Sequence, residues 1–145
     1  MNNKIGFFDG TEYAFLSNFW ISPFMYQNKM YKTSEHLYQA MKATNEVDHE
    51  EIRNVPNPGS AKRLGNRITM RSDWEQIKDK VMFHACLCKF LQDADLARKL
   101  IDTGDAELEE GNTWGDQYWG TVNGVGKNML GKTLMKVRDI LNGKS

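Results

Sequence analysis

Nine residues, Ser34-Glu-His-Leu-Tyr-Gln-Ala-Met-Lys42, place a carboxylate, an amide and an amine at Glu35, Gln39 and Lys42. If they are helical, spacings of four and then three residues bring the three side chains to one face. Such a row has two readings. It can be a solvated polar stripe, whose exposed charges contribute little. It can also line a cleft, where a carboxylate moves protons and a desolvated lysine loses its own and attacks a sugar carbonyl. Spacing alone does not choose between them. His36 points elsewhere on the helix and reads as a satisfied histidine near the core.

A second stretch carries a different kind of chemistry. Asn112-Thr-Trp-Gly-Asp-Gln-Tyr-Trp-Gly120 runs on to Gly124-Val-Gly-Lys-Asn-Met-Leu-Gly131 and gathers Trp114, Trp119, Asp116 and five glycines with no helical or strand period. Aromatic planes on a backbone that approaches closely suit a flat ring and its phosphates. Trp114, Gly115, Trp119, Gly120 and Asn128 are therefore candidate ligand contacts, the alternative for the two tryptophans being core anchors. Asp116 is either a turn residue or a carboxylate aimed at a ribose hydroxyl or a leaving group. The run Gly126-Lys-Asn-Met-Leu-Gly-Lys-Thr133 fits the phosphate-loop pattern, but that motif needs a buried strand before it and a parallel sheet around it. Neither is in view, so an NTPase is rejected; a glycine-rich turn entering a helix still presents N–H donors to an anion. Arg63 and Arg67, four residues apart, either grip a phosphate or pair with the acidic 46–51 segment.

These groups must be held by elements the sequence also signals. Short strands and turns are predicted over residues 5–31: Ile5–Phe8, a turn at Asp9-Gly10, Phe15–Trp20, and a hairpin over Phe24–Tyr31 with a Gln27-Asn28-Lys29 tip. A helix follows from Ser34 to about Thr44, with Thr33 or Ser34 as its N-cap and Leu37, Ala40 and Met41 as its apolar face. Beyond the acidic piece, Pro56-Asn-Pro-Gly59 breaks the chain, and Ser60 can cap a short basic helix bearing Lys62, Arg63 and Arg67. Ser72 and Glu75 have capping-box spacing and open the longest helix, with a stripe of Trp74, Ile77, Val81, Ala85 and Cys88 ending near Gln92. Asp93 caps another helix, stopped at Thr103-Gly104. A last helix begins at Asn128 or Met129 and runs to Leu141. The fold class is mainly α with a small β element (α+β). Trp20 and Trp74 read as core anchors.

Bulk composition bounds the rest. The chain has 145 residues, one domain's worth, with 40% hydrophobic and 26% charged residues. Nineteen basic and nineteen acidic side chains cancel, so there is no broad positive field for sequence-independent nucleic-acid binding. Cys86 and Cys88 face different sides of a helix and read as core residues, and His49 and His84 lack partners at metal spacing. No metal site and no cofactor are expected. No apolar run nears the roughly 20 residues of a membrane span, and no signal-peptide segment opens the chain, so a cytoplasmic location is expected.

Together the motifs resemble the NADAR superfamily, also called the YbiA-like family. The resemblance is carried by Phe15-Leu-Ser-Asn-Phe19, Tyr31–Lys42, Arg71-Ser-Asp-Trp74, Leu100–Gly104, Trp114–Gly120 and Gly126–Met135. It implies a single mainly helical domain over 1–145 and N-glycosidic chemistry on a ribose linked to a nitrogenous base. The substrates it implies are phosphoribosylamino-pyrimidine intermediates of riboflavin synthesis or ADP-ribosylated guanine in nucleic acid. By motif position Lys42 becomes the Schiff-base lysine and Glu35 the acid/base, with Asp116 in the matching C-terminal motif. Asn18, Phe19, Gln39, Arg63 and Arg67 join the loop residues as ligand contacts. Lys42 is expected in a cleft beside Glu35, under the loop aromatics. The alternative is a non-catalytic module that holds ADP-ribose or an NAD-like ligand.

Overall fold

The computed structural model describes residues 3–144. In chain order its elements are β1 (Lys4–Gly6), a 3-10 turn (Ala14–Leu16), β2 (Phe24–Tyr26), β3 (Lys29–Tyr31), α1 (Ser34–Ala40), α2 (Glu46–Asn54), α3 (Pro58–Gly65), α4 (Trp74–Gln92), α5 (Ala94–Ile101), β4 (Glu107–Glu109) and α6 (Met129–Leu141). This is the α+β class expected from the sequence. The chain separates into two units, Asn18–Gln92 and Met1–Ser17 with Asp93–Ser145.

The Asn18–Gln92 unit packs α1 against α2, α3 and α4. Its core brings Phe24 and Tyr31 of the hairpin onto Leu37, Ala40, Ile52, Ala61 and Ala85. The hairpin pairs Phe24 with Tyr31, Met25 with Met30 and Tyr26 with Lys29. Lys29 is thus a strand residue, and the tip is two residues long. Gln27 and Asn28 both have positive φ, 49° and 68°, the backbone of a type I′ turn, whose twist matches the strands it joins. The Gln92 side chain imitates a neighbouring strand at the edge of β2, accepting from Met25 N and donating to Met25 O.

Caps explain where these helices start. Thr33 accepts the His36 N–H and opens α1, as expected. The helix closes at Ala40, short of Thr44, because Lys42 turns into an extended step: its carbonyl accepts from Arg71 N, and Ala43 bridges to Met70. The acidic piece is a helix, α2. Asn45 caps it through Asp48 N, its first turn is acidic, which suits the helix dipole, and Ile52 anchors it in the core. The basic helix α3 is capped by Asn57, not Ser60; Ser60 is the residue whose N–H is capped. Arg67 lies beyond its last turn. Helix α4 starts at Trp74, with Asp73 O accepting from Gln76 and Ile77 N, one residue later than a Ser72 cap would place it. Its buried face adds Met82, Cys86, Lys89 and Phe90, which leaves Ile77 and Cys88 only half-buried.

In the other unit, β1 and β4 pair in parallel, Lys4 with Glu107 through Gly6 with Glu109. The strand expected to reach Phe8 stops at Gly6, since Phe7 takes a φ of +58°. β4 carries no signal in the sequence, its three residues being too few for a period. The strand expected over Phe15–Trp20 is instead a 3-10 turn followed by irregular chain, and Trp20 is 40% exposed where a core anchor was expected. Asp93 caps α5 through Asp95 and Leu96 N. Helix α6 buries Leu130, Leu134 and Val137 and meets β4 at Gly131, where a Cβ would lie 2.0 Å from Leu108 O. Among the described residues no strand runs directly into the 126–133 segment as a phosphate loop would need; β4 ends at Glu109.

Candidate active site

The short helix α1 buries every one of its seven residues, which overturns the solvated-stripe reading of its polar row. Glu35 and Gln39 are buried, and Lys42, two residues past the end of the helix, is only 8% exposed. Gln39 Nε2 donates to Glu35 Oε2 at 2.7 Å, the i,i+4 contact that the spacing foretold. The main chain of Lys42 is fixed at both ends, by its own N–H to Gln39 O and by Arg71 N to its carbonyl.

The Lys42 side chain extends over two aromatic rings. Its Nζ lies 5.4 Å from the Tyr38 centroid and 6.0 Å from that of Trp74, and these rings meet edge to face at 5.0 Å. Burial lowers the Lys42 pKa below the ordinary lysine value; Glu35 opposes the shift, and the positive charges of Lys62 and Lys78 add to it. A lysine shifted this way carries more of the neutral, nucleophilic amine. Tyr38 was not anticipated, although it lies four residues before Lys42 and so shares its side of the helix. Trp74 comes from the start of α4, and no local pattern could have linked it to Lys42.

Asn18 supports α1 from beneath. Its Oδ1 accepts from Ser34 Oγ at 2.8 Å, its Nδ2 reaches Met82 Sδ, and its carbonyl accepts from Glu35 N. These bonds make it a brace for Glu35. Phe19 is exposed, as are Arg63, which reaches Ser60 Oγ at 3.0 Å, and Arg67. The acidic 46–51 segment does not take Arg63 or Arg67 as partners: Lys29 bridges Glu46 and Glu50, and Arg53 pairs with Glu50. His36 is fully buried as expected. Val55 O can only accept from Nε2, so Nε2 carries the proton and Nδ1 accepts from the Thr33 hydroxyl. Burial lowers its pKa and favours this neutral form. Cys86 is buried and its thiol is pushed up to about 12, which keeps it unreactive. Among the described residues no group of three or more His, Cys, Asp or Glu could hold a metal ion.

The glycine-rich loop of the other unit is ordered by its own polar groups. Asn112 bonds both ways with the Asp116 main chain, and Asp116 Oδ1 accepts from Tyr118 N and Trp119 N. The turn-residue reading of Asp116 is thus realised at one of its oxygens. Asn128, at a φ of 52°, spends its amide on β4, accepting from Glu110 N and donating to Leu108 O. A Cβ on Gly120 would lie 2.0 Å from Glu110 O, and one on Gly126 would lie 2.4 Å from Gly120 O. These two glycines serve the approach of the chain to itself. Gly115 is different, with a φ of +89° and open space beside it, next to Trp114, which is 52% exposed. Trp119 is half-buried and meets Tyr118 edge to face.

Known proteins are similar to this chain along almost its whole length. N-glycosidase YbiA of Escherichia coli (strain K12) is 41% identical over 133 residues, covering 90% of this chain and 82% of that protein. N-glycosidase Npun_R5314 of Nostoc punctiforme is 39% identical, covering 88% of this chain and 85% of its own. Riboflavin biosynthesis protein VVA0006 of Vibrio vulnificus is 35% identical over 145 residues, 97% of this chain but 39% of that longer protein. The NMR structure of the E. coli protein YbiA superposes with a TM-score of 0.88 at 39% identity, covering 98% of this chain and 87% of that one. The NADAR domain family model matches residues 6–142, and the chain belongs to that family.

Proposed function

We propose that this protein is a hydrolase of N-glycosyl bonds that separates a nitrogenous base from a ribose through a Schiff base on Lys42. The observation that carries this reading is a buried lysine of lowered pKa set on the Tyr38 and Trp74 rings, with Glu35 acting on its charge. The names of the relatives supply the reaction class. The neutral ε-amine adds to C1 of the sugar as the bond to the base breaks; the ionised Glu35 takes the proton that the amine gives up and passes it to the departing base. The sugar ring opens to the imine, and water then hydrolyses the imine, releasing the free sugar and restoring the amine. Atoms balance as substrate plus water giving base and sugar.

The substrate we favour is a phosphoribosylamino-pyrimidine. A balanced charge of nineteen against nineteen suits a small metabolite better than a long nucleic acid, and a similar protein is named for riboflavin biosynthesis. ADP-ribosylated guanine is the second candidate. As ligand contacts we propose Phe19, Arg63 and Arg67 in the Asn18–Gln92 unit and, taken by itself, the loop of the other unit with Trp114, Gly115, Trp119 and Asp116. A panel of both substrate classes, NAD and ADP-ribose tests the reading by product mass, with borohydride present to trap the imine. A trapped adduct that disappears in Lys42→Ala is expected. Full turnover by Lys42→Ala would remove the covalent step, and tight binding of ADP-ribose without turnover of any substrate would make the chain a binding module.

A further inference from the structure

Gln39 is buried, and the two ends of its amide meet different surroundings. The nitrogen donates to Glu35 Oε2 at 2.7 Å, while the oxygen is buried with no hydrogen-bond partner. That oxygen lies against Gly65, the last residue of α3, where an added Cβ would come within 1.9 Å of Oε1 and 2.8 Å of Cδ. An ionised carboxylate only accepts, so the amide turns its NH2 to Glu35 and leaves its oxygen against the glycine. Leaving a buried acceptor unmet is unfavourable, and the arrangement persists because the alternative sets oxygen against oxygen. Gln39, expected as a ligand contact, gives its nitrogen to Glu35 and keeps an unpaired oxygen.

We infer that Gly65 and Gln39 form a positioning pair for Glu35: the missing side chain at Gly65 creates the seat from which the amide donates to the carboxylate and holds it ionised in a fixed orientation. The inference rests on the reading of Glu35 as the group that handles the proton. It adds a residue 30 positions away in sequence, with no functional group of its own, to the apparatus of the reaction. Lys42 and Glu35 act on each other, and Lys42 also feels the charges of Lys62 on α3 and Lys78 on α4. The segment that follows α2 presents a neutral group to α1, the Val55 carbonyl bonded to His36. All of these remain in the variants below, so their effects cancel in the comparison.

The test is the titration of the Glu35 carboxyl carbon by NMR, assigned by its loss in Glu35→Gln and measured in wild type, Gln39→Met and Gly65→Ala. Removing a hydrogen bond to the charged form raises the midpoint, by about one pH unit or more in Gln39→Met. Gly65→Ala moves it in the same direction, because the end of a flexible amide yields before the backbone does. Gly65→Ala with Gln39→Ser regains the room, so this double variant melts above Gly65→Ala while the midpoint stays raised. The acidic limb of kcat/KM moves with the midpoint. An unmoved midpoint in a natively folded Gln39→Met overturns the inference, as does a double variant no more stable than Gly65→Ala. The titration needs no substrate: a raised midpoint without turnover of any N-glycoside keeps the pair and removes the glycosidase reading, and turnover with an unmoved midpoint does the reverse.

Discussion

Lys42 carries opposing demands on one nitrogen. Burial disfavours its charge, whereas the two ring faces and Glu35 favour it, and burial wins. Because the folded pKa lies below the unfolded value, protonation costs the folded state stability at every pH below the ordinary lysine value of 10.5. Lys42→Met is therefore expected to melt above the wild type at pH 7, with the gap closing as pH rises toward 10.5, while activity is lost. Calorimetry across that range checks it; a variant that melts lower at pH 7 contradicts the account. Glu35→Gln is expected to lower kcat by about 10²–10⁴-fold with little change in KM, the range for loss of a positioned acid or base, read by steady-state kinetics. The i,i+4,i+7 row of Glu35, Gln39 and Lys42 was legible because a helix converts spacing into a face. Its burial was not, since that depends on α3 and α4 closing over it. Trp74 and Gly65 were invisible as parts of the site for the same reason.

At the scale of elements, caps and turns decide boundaries. Asn45 and Asn57 each accept an N–H in the first turn of a helix. Replacing either by Ala should cost about 1 kcal/mol, measured by urea unfolding. The helix α2 went unrecognised because its sequence is mostly acidic and polar, with Ile52 as its buried anchor. Its cap and its ion pairs add to what the burial of Ile52 contributes. Glu50 shows this: Arg53 and Lys29 bond its carboxylate and hold its pKa at about 2, below the ordinary 4.5. A depressed carboxylate contributes stability above the unfolded pKa and loses it as pH falls toward the folded one. The stability gap between wild type and Glu50→Gln is thus expected to be full at pH 6 and to vanish near pH 2. High salt should narrow it too, as the pairs are partly exposed. By contrast, α5 and α6 were legible in full, because Asp93 is a strong cap and Leu130, Leu134 and Val137 recur at helical spacing.

At the scale of the whole molecule, the sequence conveyed class and order of elements but not long-range pairing. Three-residue strands leave no period, so β4 could not be read from Glu107–Glu109, nor its partner from Lys4–Gly6. The irregular 110–128 loop carried a true signal with a partly different meaning. Gly120, Gly126 and Gly131 are glycines because backbone crosses backbone there, which sequence cannot separate from closeness to a ligand.

The parallel pairing of β1 with β4 also bears on the order of assembly. Its two strands lie about a hundred residues apart in the chain, so a nascent polypeptide leaving the ribosome holds Lys4–Gly6 without a mate until Glu107–Glu109 has emerged. The stretch Asn18–Gln92, by contrast, is one continuous compact unit. Stalled chains of increasing length, probed by brief proteolysis, are expected to show protection first in that stretch, and at the amino end only after the synthesis of β4.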